Sequence, residues 1–282
     1  MQLAPPFSST YFALMQESLL SESSIYSGLT ELKGADMGDK GRYYSAFFNL
    51  AIGIERLLKI ILALDHAATA ELQSPKELPL PGEAKFREWG HNLLQMHALV
   101  CTAAVLFEPT FEDYLSAQPI AKKTLVFLNK FNGTSRYFNL NALGGDQRGV
   151  DPLAQWSNLL DGISTEVVSD RQRRKIRFDA ELISSMMQPH IIIEHNLSQQ
   201  GVSLTGAYEE RKYHAIATNH VTWHLCKFIY GLRSVLEKAA LRALQRNRQL
   251  CPDLIHIPFM DDFCRKLLFD QKSWVFRKRR WP

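Results

Sequence analysis

The stretch AFFNLAIGIERLLKIILAL, residues 46–64, decides the fold because it is a long apolar run with helical rather than alternating spacing. Its apolar side chains recur at three- and four-residue steps, which places them on one face of a helix. Further apolar residues occupy the other faces, so we predict a central helix that is buried on most sides. Glu55, Arg56 and Lys59 near its middle argue against a bilayer-spanning helix, since charged side chains are costly there.

Helical spacing also dominates the rest of the chain, and proline positions mark where two further helices begin. Gln118-Pro119 and Asp151-Pro152 each place proline at the first helical position, where no amide hydrogen is needed. Asp151 can in addition cap its helix. Other helices are expected at about 90–107, 164–187 and 207–244, with a short one at about 260–269 and a candidate kink at Gly231.

No part of the sequence argues strongly for a sheet. The segment HIIIEHNLSQQGVSL, residues 190–204, is either extended or irregular. Residues 141–149, NALGGDQRG, are expected to form a loop. The sequence therefore predicts an all-α fold, with one helical region at 1–150 and a second at 151–282 packed on the same body.

Composition limits the class of protein to which this chain can belong. Of its 282 residues, 46% are hydrophobic and 22% are charged, and its net charge is +4, all values typical of a globular protein with a sizeable core. The four cysteines lie far apart, which favours free buried thiols over disulfides or a zinc site. The first residues, MQLAPPFSSTYF, lack a basic segment followed by an apolar run, so we expect no signal peptide, no membrane association and a cytoplasmic location.

Three short patterns in the first region follow one another in an informative order. The first is the helix FNLAIGIERLLKIILAL with the pair Glu55 and Lys59, the second is Gly90-His91-Asn92-Leu93, and the third is Ser135-Arg136-Tyr137. Together they resemble the core helix, the His-(Asp/Asn)-Leu helix start and the small-Arg-Tyr element of the HEPN superfamily of small all-α domains. The resemblance covers about residues 36–150 and implies an HEPN-like helical bundle, extended here by the second helical region.

Ribonucleases of that superfamily carry Arg, four to six residues and then His on one helix. The Arg steadies the phosphate while the His moves protons during metal-free attack by the 2′-hydroxyl. This sequence departs from the pattern, since its nearest pair, Arg87 and His91, has three residues between. If the protein cleaves RNA, we expect Arg56 and Arg136 to stabilise the phosphate and His91 to carry the proton. The alternative for His91 is a structural role at the start of a helix.

A polar stripe runs along the predicted central helix. Arg42, Ser45, Asn49 and Arg56 share one side at helical spacing, and Gly53 lies beside them. In one interpretation the stripe lines a cleft for nucleic acid, and Gly53 allows close approach of a phosphate or of another backbone. In the other, carboxylates from the second region or from a second subunit neutralise the stripe. Arg136 likewise binds a ligand from a loop or satisfies structural groups.

Two basic runs are the best electrostatic match to a phosphate-rich partner. The first contains the predicted nucleic-acid-binding residues Arg173, Arg174, Lys175 and Arg177. The second, residues 277–280, is interleaved with the aromatic residues Trp274, Phe276 and Trp281, which can stack on bases. Such runs are otherwise ordinary solvated helix faces.

His220 and His224 are four residues apart, a spacing that can chelate a metal. No glutamate follows His220, so a metalloprotease is disfavoured, and a third ligand would have to come from His190, His195 or His214. We therefore predict no metal site and no cofactor. The sequence also lacks a Gly-rich phosphate loop and a nucleophile elbow, which disfavours nucleotide-driven motors and serine hydrolases.

These observations lead to ranked hypotheses of function. The leading one is an HEPN-like protein that binds or cleaves RNA in a bacterial stress or phage-defence response, as a toxin–antitoxin or antiviral component, acting as a homodimer or with a partner protein. Catalysis, if present, would be that of a metal-independent endoribonuclease. The alternative is a non-catalytic helical interaction module that partners a nucleotide-handling or toxin protein, and a His-bound metal enzyme is a third.

Overall fold

A computed structural model describes residues 6–71, 77–108, 111, 116–145, 149–187, 193–265, 267 and 272–282. Helices make up most of the described residues, which confirms the all-α class. The helices are α1 (Ser9–Gly34), α2 (Lys40–Thr69), α3 (Glu83–Trp89), α4 (Leu93–Ala104), α5 (Pro119–Lys130), α6 (Phe138–Leu143), α7 (Pro152–Val167), α8 (Asp170–Met186), α9 (Leu204–Leu250) and α10 (Lys272–Arg277), with a π-helical turn at Phe131–Ser135 after α5. Strands β1 (Ile193–His195) and β2 (Gly201–Ser203) pair antiparallel.

The central helix is α2, as the sequence predicts, and it is buried along most of its length. Helix α1 packs antiparallel against it at close range, because small residues face each other. A side chain at Gly53 would collide with the backbone of Ile25, and one at Gly28 with that of Leu50. Ser21 donates a hydrogen bond of 2.8 Å to the carbonyl of Gly53 across this contact. Gly53 therefore serves the approach of another backbone, one of the two roles expected for it.

A cluster of aromatic rings joins α2 to α5 and α7. Phe47 lies 4.6 Å from Phe127 and 5.0 Å from Trp156 between ring centroids, and Phe131 at the start of the π turn lies 5.4 Å from Phe47. Such buried rings carry a large share of core stability. The cluster fixes the end of α5 and the π turn against the middle of α2.

The long helix α9, of 47 residues, extends the core across both halves of the sequence. It packs on α2, and its last turns hold the end of that helix: Arg246 donates to the carbonyls of Ala67 and Ala70, and Arg242 lies 3.3 Å from the carboxylate of Asp65. The carbonyls at a helix end lack internal partners, so these contacts satisfy them. The division at residue 150 stays a prediction, but residues on both sides share one core.

Helix boundaries agree with the sequence where a cap or proline marks them. The Asp151 carboxylate accepts a hydrogen bond from the amide of Leu153, and α5 begins at Pro119. The single helix predicted at 164–187 is wrong, because the chain breaks at Val168 and restarts at α8, where Ser169 and Gln172 form a reciprocal capping box. Helices α1, α3, α6 and α10 were not expected, and α9 continues through Gly231. The loop predicted at residues 141–149 is wrong in its first part, because α6 extends to Leu143.

Two further segments have a secondary structure that the sequence left open or predicted differently. The ambiguous segment 190–204 is a hairpin in its described part, and residues 261–265 form turns rather than the expected short helix. His190, residues 146–148 of the expected loop and residues 266 and 268–269 of the expected helix lie outside the described residues. No helix in the described ranges is both long and apolar enough to span a bilayer.

None of the four cysteines is joined to another by a disulfide, which agrees with their wide spacing in the sequence. Cys226 and Cys264 are buried, and Cys101 and Cys251 are half-buried. Burial raises the pKa of the Cys226 thiol to about 12 and raises that of Cys264 as well. Both buried thiols are therefore protonated and unreactive in the folded protein.

Candidate functional site

The carboxylate of Glu55 gathers side chains from three separate segments. One oxygen accepts hydrogen bonds from the ammonium of Lys59, at 2.8 Å, and from Nδ1 of His91, at 2.9 Å. The other accepts from Nδ2 of Asn132, at 3.0 Å. We call these four residues the Glu55 cluster. Glu55 and Lys59 follow from the i, i+4 geometry of α2, whereas His91 and Asn132 come from the segment before α4 and from the π turn.

His91 lies in a tight turn immediately before α4. Gly90 has φ 58°, a left-handed value that favours glycine, and the side chain of Asn92 accepts a hydrogen bond from the amide of Gln95. Asn92 is thus the residue that caps α4. Asn92 makes the capping hydrogen bond at this helix start, and the exposed His91 imidazole lies against Glu55.

The π turn presents Asn132 to the cluster. Its amide nitrogen bridges the Glu55 carboxylate and the carbonyl of His91, the latter at 3.1 Å, and so ties α2 to the segment before α4. The turn closes with a hydrogen bond from the amide of Arg136 to the carbonyl of Phe131. Single π turns recur at functional sites because they redirect side chains. Arg136 follows Asn132 by four residues, about one helical turn, and its side chain is exposed. Its guanidinium lies 5.1 Å from the centroid of the Tyr137 ring.

The electrostatics of the cluster keep Glu55 ionised. Burial acts to raise the pKa of Glu55, but hydrogen bonds from Lys59, Asn132 and His91 together outweigh it and lower the pKa. The Glu55 side chain is 12% exposed, whereas that of His91 is 75% exposed. An ionised carboxylate on Nδ1 fixes the ring and leaves Nε2 as the nitrogen that can exchange a proton with a ligand. This is the arrangement of an oriented general base.

Arg56 belongs to a different set of contacts. Its guanidinium pairs with Glu17, and Arg42 on the same stripe pairs with Glu31 at 2.8 Å. Both carboxylates lie on α1, rather than on the second region or a second subunit, so the partner that we expected for the stripe was wrong. Asn49 is half-buried on that stripe. Successive helix residues differ by about 100° in direction, so Arg56 and Glu55 project from different sides of α2.

The first basic run divides between structural and exposed residues. Arg173 donates hydrogen bonds to the carbonyls of Ser164, Thr165 and Val168 at the end of α7, where carbonyls lack the full set of partners within the helix. Its guanidinium is therefore used within the fold, and its assignment to nucleic-acid binding stays a prediction. Arg174, Lys175 and Arg177 are exposed on α8 and stay predicted contacts.

The histidine pair of α9 is used in packing. Nδ1 of His224 bonds the side chain of Gln118 at 2.6 Å, and the ring of His220 packs edge-on against Phe276. Burial lowers the pKa of both, that of His224 to about 4. Among the described residues, no group of three or more His, Cys, Asp or Glu side chains is arranged to hold a metal ion.

Sequence reasoning missed three of the four members of the Glu55 cluster as site residues. Glu55 and Lys59 entered only as part of the HEPN resemblance, although a charged i, i+4 pair within a buried helix is itself a signal, because such a pair needs further partners. Asn132 gave no signal beyond Asn-Gly, which usually marks a turn. Its role depends on the π turn.

Comparisons with known proteins leave the family open. No model of a protein family matches the chain, and neither a curated protein nor a solved structure matches it. The fold class and the geometry of the Glu55 cluster are therefore the basis for assigning a function.

Proposed function

We propose that the protein is an HEPN-like RNA-binding protein that cleaves RNA without a metal, with His91 as the proton carrier. The observation that carries this proposal is the Glu55 carboxylate on Nδ1 of an otherwise exposed His91 imidazole. It is supported by the positions of three patterns that resemble the HEPN superfamily. Glu55 of the first pattern bonds both Lys59 of the same pattern and His91 of the second, and Arg136 of the third follows Asn132, another partner of Glu55, by four residues.

The proposed reaction uses Nε2 of His91 as a base. The imidazole takes the proton of a ribose 2′-hydroxyl, the 2′-oxygen forms a bond to phosphorus, and the bond from phosphorus to the 5′-oxygen breaks. The leaving 5′-oxygen takes a proton from water, the protonated imidazole returns its proton to the solvent, and the products are a 2′,3′-cyclic phosphate and a 5′-hydroxyl. Arg136 stabilises the charge that develops on the phosphate, and Glu55 positions the ring and stabilises its protonated form. Because Arg56 is paired with Glu17, Arg136 is the arginine that we assign to this role.

The cellular setting that we propose is a bacterial stress or phage-defence response, with the chain acting as a homodimer or with a partner protein. Arg174, Lys175 and Arg177 on α8 would add contacts to the RNA backbone.

Cleavage of end-labelled tRNA and total RNA in the presence of EDTA tests the proposal. His91→Ala is expected to lower the rate by about 10²- to 10⁴-fold, the usual contribution of a general acid or base. His195→Ala is the matched control, because His195 is an exposed histidine in β1 outside the Glu55 cluster. An equal rate for His91→Ala and wild type, or activity that EDTA abolishes, would contradict the mechanism.

A second candidate is the non-catalytic interaction module, and one surface favours it. Phe178, Leu182 and Met186 are exposed at four-residue spacing on α8 and form an apolar stripe. Exposed apolar stripes mark sites of protein association. If purified protein leaves RNA intact, while substitution of Phe178 and Leu182 by serine changes its mass in solution measured by light scattering, the module is the correct description.

A further inference from the structure

A cleft lies away from the Glu55 cluster, where the ends of several elements meet. Its walls are the end of α1, the start of α2, the first half of α9 and the C-terminal tail after α10. Its volume is about 530 Å³. Small-molecule sites have volumes of roughly 300–1,000 Å³, so the cleft is of a size to hold one metabolite rather than a nucleic-acid helix. We call it the basic cleft.

Positive charge dominates the lining of the basic cleft. Its cationic residues are Lys33, Arg42, Arg211, Arg279 and Arg280, and its one carboxylate is Asp36. Arg42 and Arg211 are paired with Glu31 and Glu194. Within the part of the chain that the structure describes, Lys33, Arg279 and Arg280 have no carboxylate partner. The Asp36 carboxylate accepts hydrogen bonds from the amides of Gly38 and Asp39.

The unpaired cations are held in place by the fold. The tail is anchored by the buried residues Val275 and Trp281, and the amide of Trp281 donates to the hydroxyl of Thr30 at 2.9 Å. Lys33 donates to the carbonyl of Phe276 at 2.9 Å and to the side chain of Asn219. Burial, and then the nearby charge of Arg279, lowers the pKa of Lys33 to about 8. The positive charges are therefore crowded together without a compensating anion.

A buried histidine in the lining adds an unused hydrogen-bonding atom. The His214 side chain is 4% exposed, and its Nε2 lies 2.9 Å from the carboxylate of Asp161. Its Nδ1 is buried and has no hydrogen-bond partner among the described residues. Glu210 is a second carboxylate near His214, and burial raises its pKa, which favours its neutral form.

We propose that the basic cleft is a binding site for a small molecule that carries one or more phosphate groups. Arginine recognises phosphate with paired, charge-assisted hydrogen bonds, and Arg279 and Arg280 provide two such side chains beside the ammonium of Lys33. This site is separate from His91, so it neither requires nor excludes RNA cleavage.

Calorimetric titration of the full chain at low ionic strength tests this proposal. The probes are inorganic tripolyphosphate and ATP, with adenosine as the uncharged analogue and a 12-nucleotide RNA to detect binding of a nucleic-acid backbone. Tripolyphosphate and ATP are expected to bind, and adenosine is not. The double variant Arg279→Gln, Arg280→Gln is expected to weaken binding at least tenfold.

Arg277→Gln is the matched control, since Arg277 is an exposed arginine of the same tail outside the cleft lining. It removes one positive charge and is expected to leave binding within about twofold of wild type. Circular dichroism of each variant shows that it is folded. Failure of both phosphate probes to bind, equal losses in Arg277→Gln and the double variant, or binding of RNA alone would each overturn the proposal.

Discussion

Glu55 is a mostly buried acidic side chain on the central helix α2, and its three hydrogen bonds determine what it contributes to the fold. Donors from α2, from the segment before α4 and from the π turn all meet its carboxylate. Hydrogen bonds to a charged group are stronger than those between neutral groups, and a buried charge left without them is costly. The residue therefore links three segments that are distant in sequence, in addition to orienting His91.

The lowered pKa of Glu55 predicts how its contribution depends on pH. Because the folded-state pKa lies below the ordinary value of 4.5, the ionised carboxylate stabilises the fold above that pH, and this stabilisation is lost as the pH falls through the folded-state pKa. Glu55→Gln should lower the free energy of unfolding by about 1–3 kcal/mol at pH 7. The difference from wild type should shrink as the pH falls from 4.5 through the folded-state pKa, measured by urea denaturation.

Glu17→Gln is the control for this measurement. Glu17 pairs with Arg56, but its side chain is 47% exposed. Exposed ion pairs contribute only about 0–1 kcal/mol, so the control should lose far less stability at pH 7 than Glu55→Gln. Equal losses of unfolding free energy in the two variants would mean that the Glu55 hydrogen bonds stabilise the fold no more than an exposed ion pair does.

At individual residues, structural roles could be predicted from the sequence only where a local signal marks them. Asp151 and Pro119 mark helix starts through their own backbone preferences, and both assignments are confirmed. The pairing of Arg56 with Glu17 joins residues 39 positions apart, and no local pattern specifies it. The meeting of Lys33 with the C-terminal tail was out of reach for the same reason, although the basic composition of the tail was evident.

Among the elements, α1 and α2 form the closest contact, and their glycines set the distance between them. A side chain at Gly53 would lie 2.7 Å from Cγ1 and 2.9 Å from the backbone nitrogen of Ile25. Helix α1 escaped sequence prediction because its buried face includes serine and glycine, so it lacks a strong apolar period. Helix α2 was predictable because large apolar residues fill its buried faces.

Alanine substitutions at two glycines, Gly53 and Gly162, should distinguish the effect of helix packing on stability from the effect of helix propensity. Gly53→Ala is expected to destabilise the protein by about 1–3 kcal/mol, because the helices must move apart to accept the methyl group. Gly162→Ala is expected to stabilise it by about 0.5–1 kcal/mol, since a side chain at this helical position of α7 meets nothing within 4 Å. Thermal unfolding measures both changes. A stabilised Gly53→Ala variant would show that the α1–α2 contact is looser than described.

The π turn is the element that sequence analysis had no means to identify. Its residues, Phe131–Ser135, follow α5 directly, and the sequence there resembles an ordinary helix end followed by a turn. The aromatic contacts of Phe131 with Phe47 come from a helix some eighty residues earlier in the chain, and they hold the turn in place. Tertiary packing, rather than local propensity, therefore directs Asn132 toward Glu55.

The whole molecule depends on α9, which belongs to the second half of the sequence but packs on the central helix of the first. Without it, one long face of α2 and the aspartate at its end would be exposed. We therefore expect residues 1–150 alone to lack a cooperative thermal transition, because their core is incomplete. Circular dichroism and limited proteolysis of that fragment beside the full chain provide the measurement. A sharp transition in the fragment would establish an independent N-terminal domain.

The reactivity of the buried Cys226 thiol depends on how often this shared core opens. A maleimide reacts with thiolate, so it modifies Cys226 only in molecules where α9 has separated from its neighbours and the sulfur has met water. The half-buried Cys101 and Cys251 give a faster phase in the same reaction. The rate of the slow phase, followed by mass spectrometry, therefore measures how often the core opens.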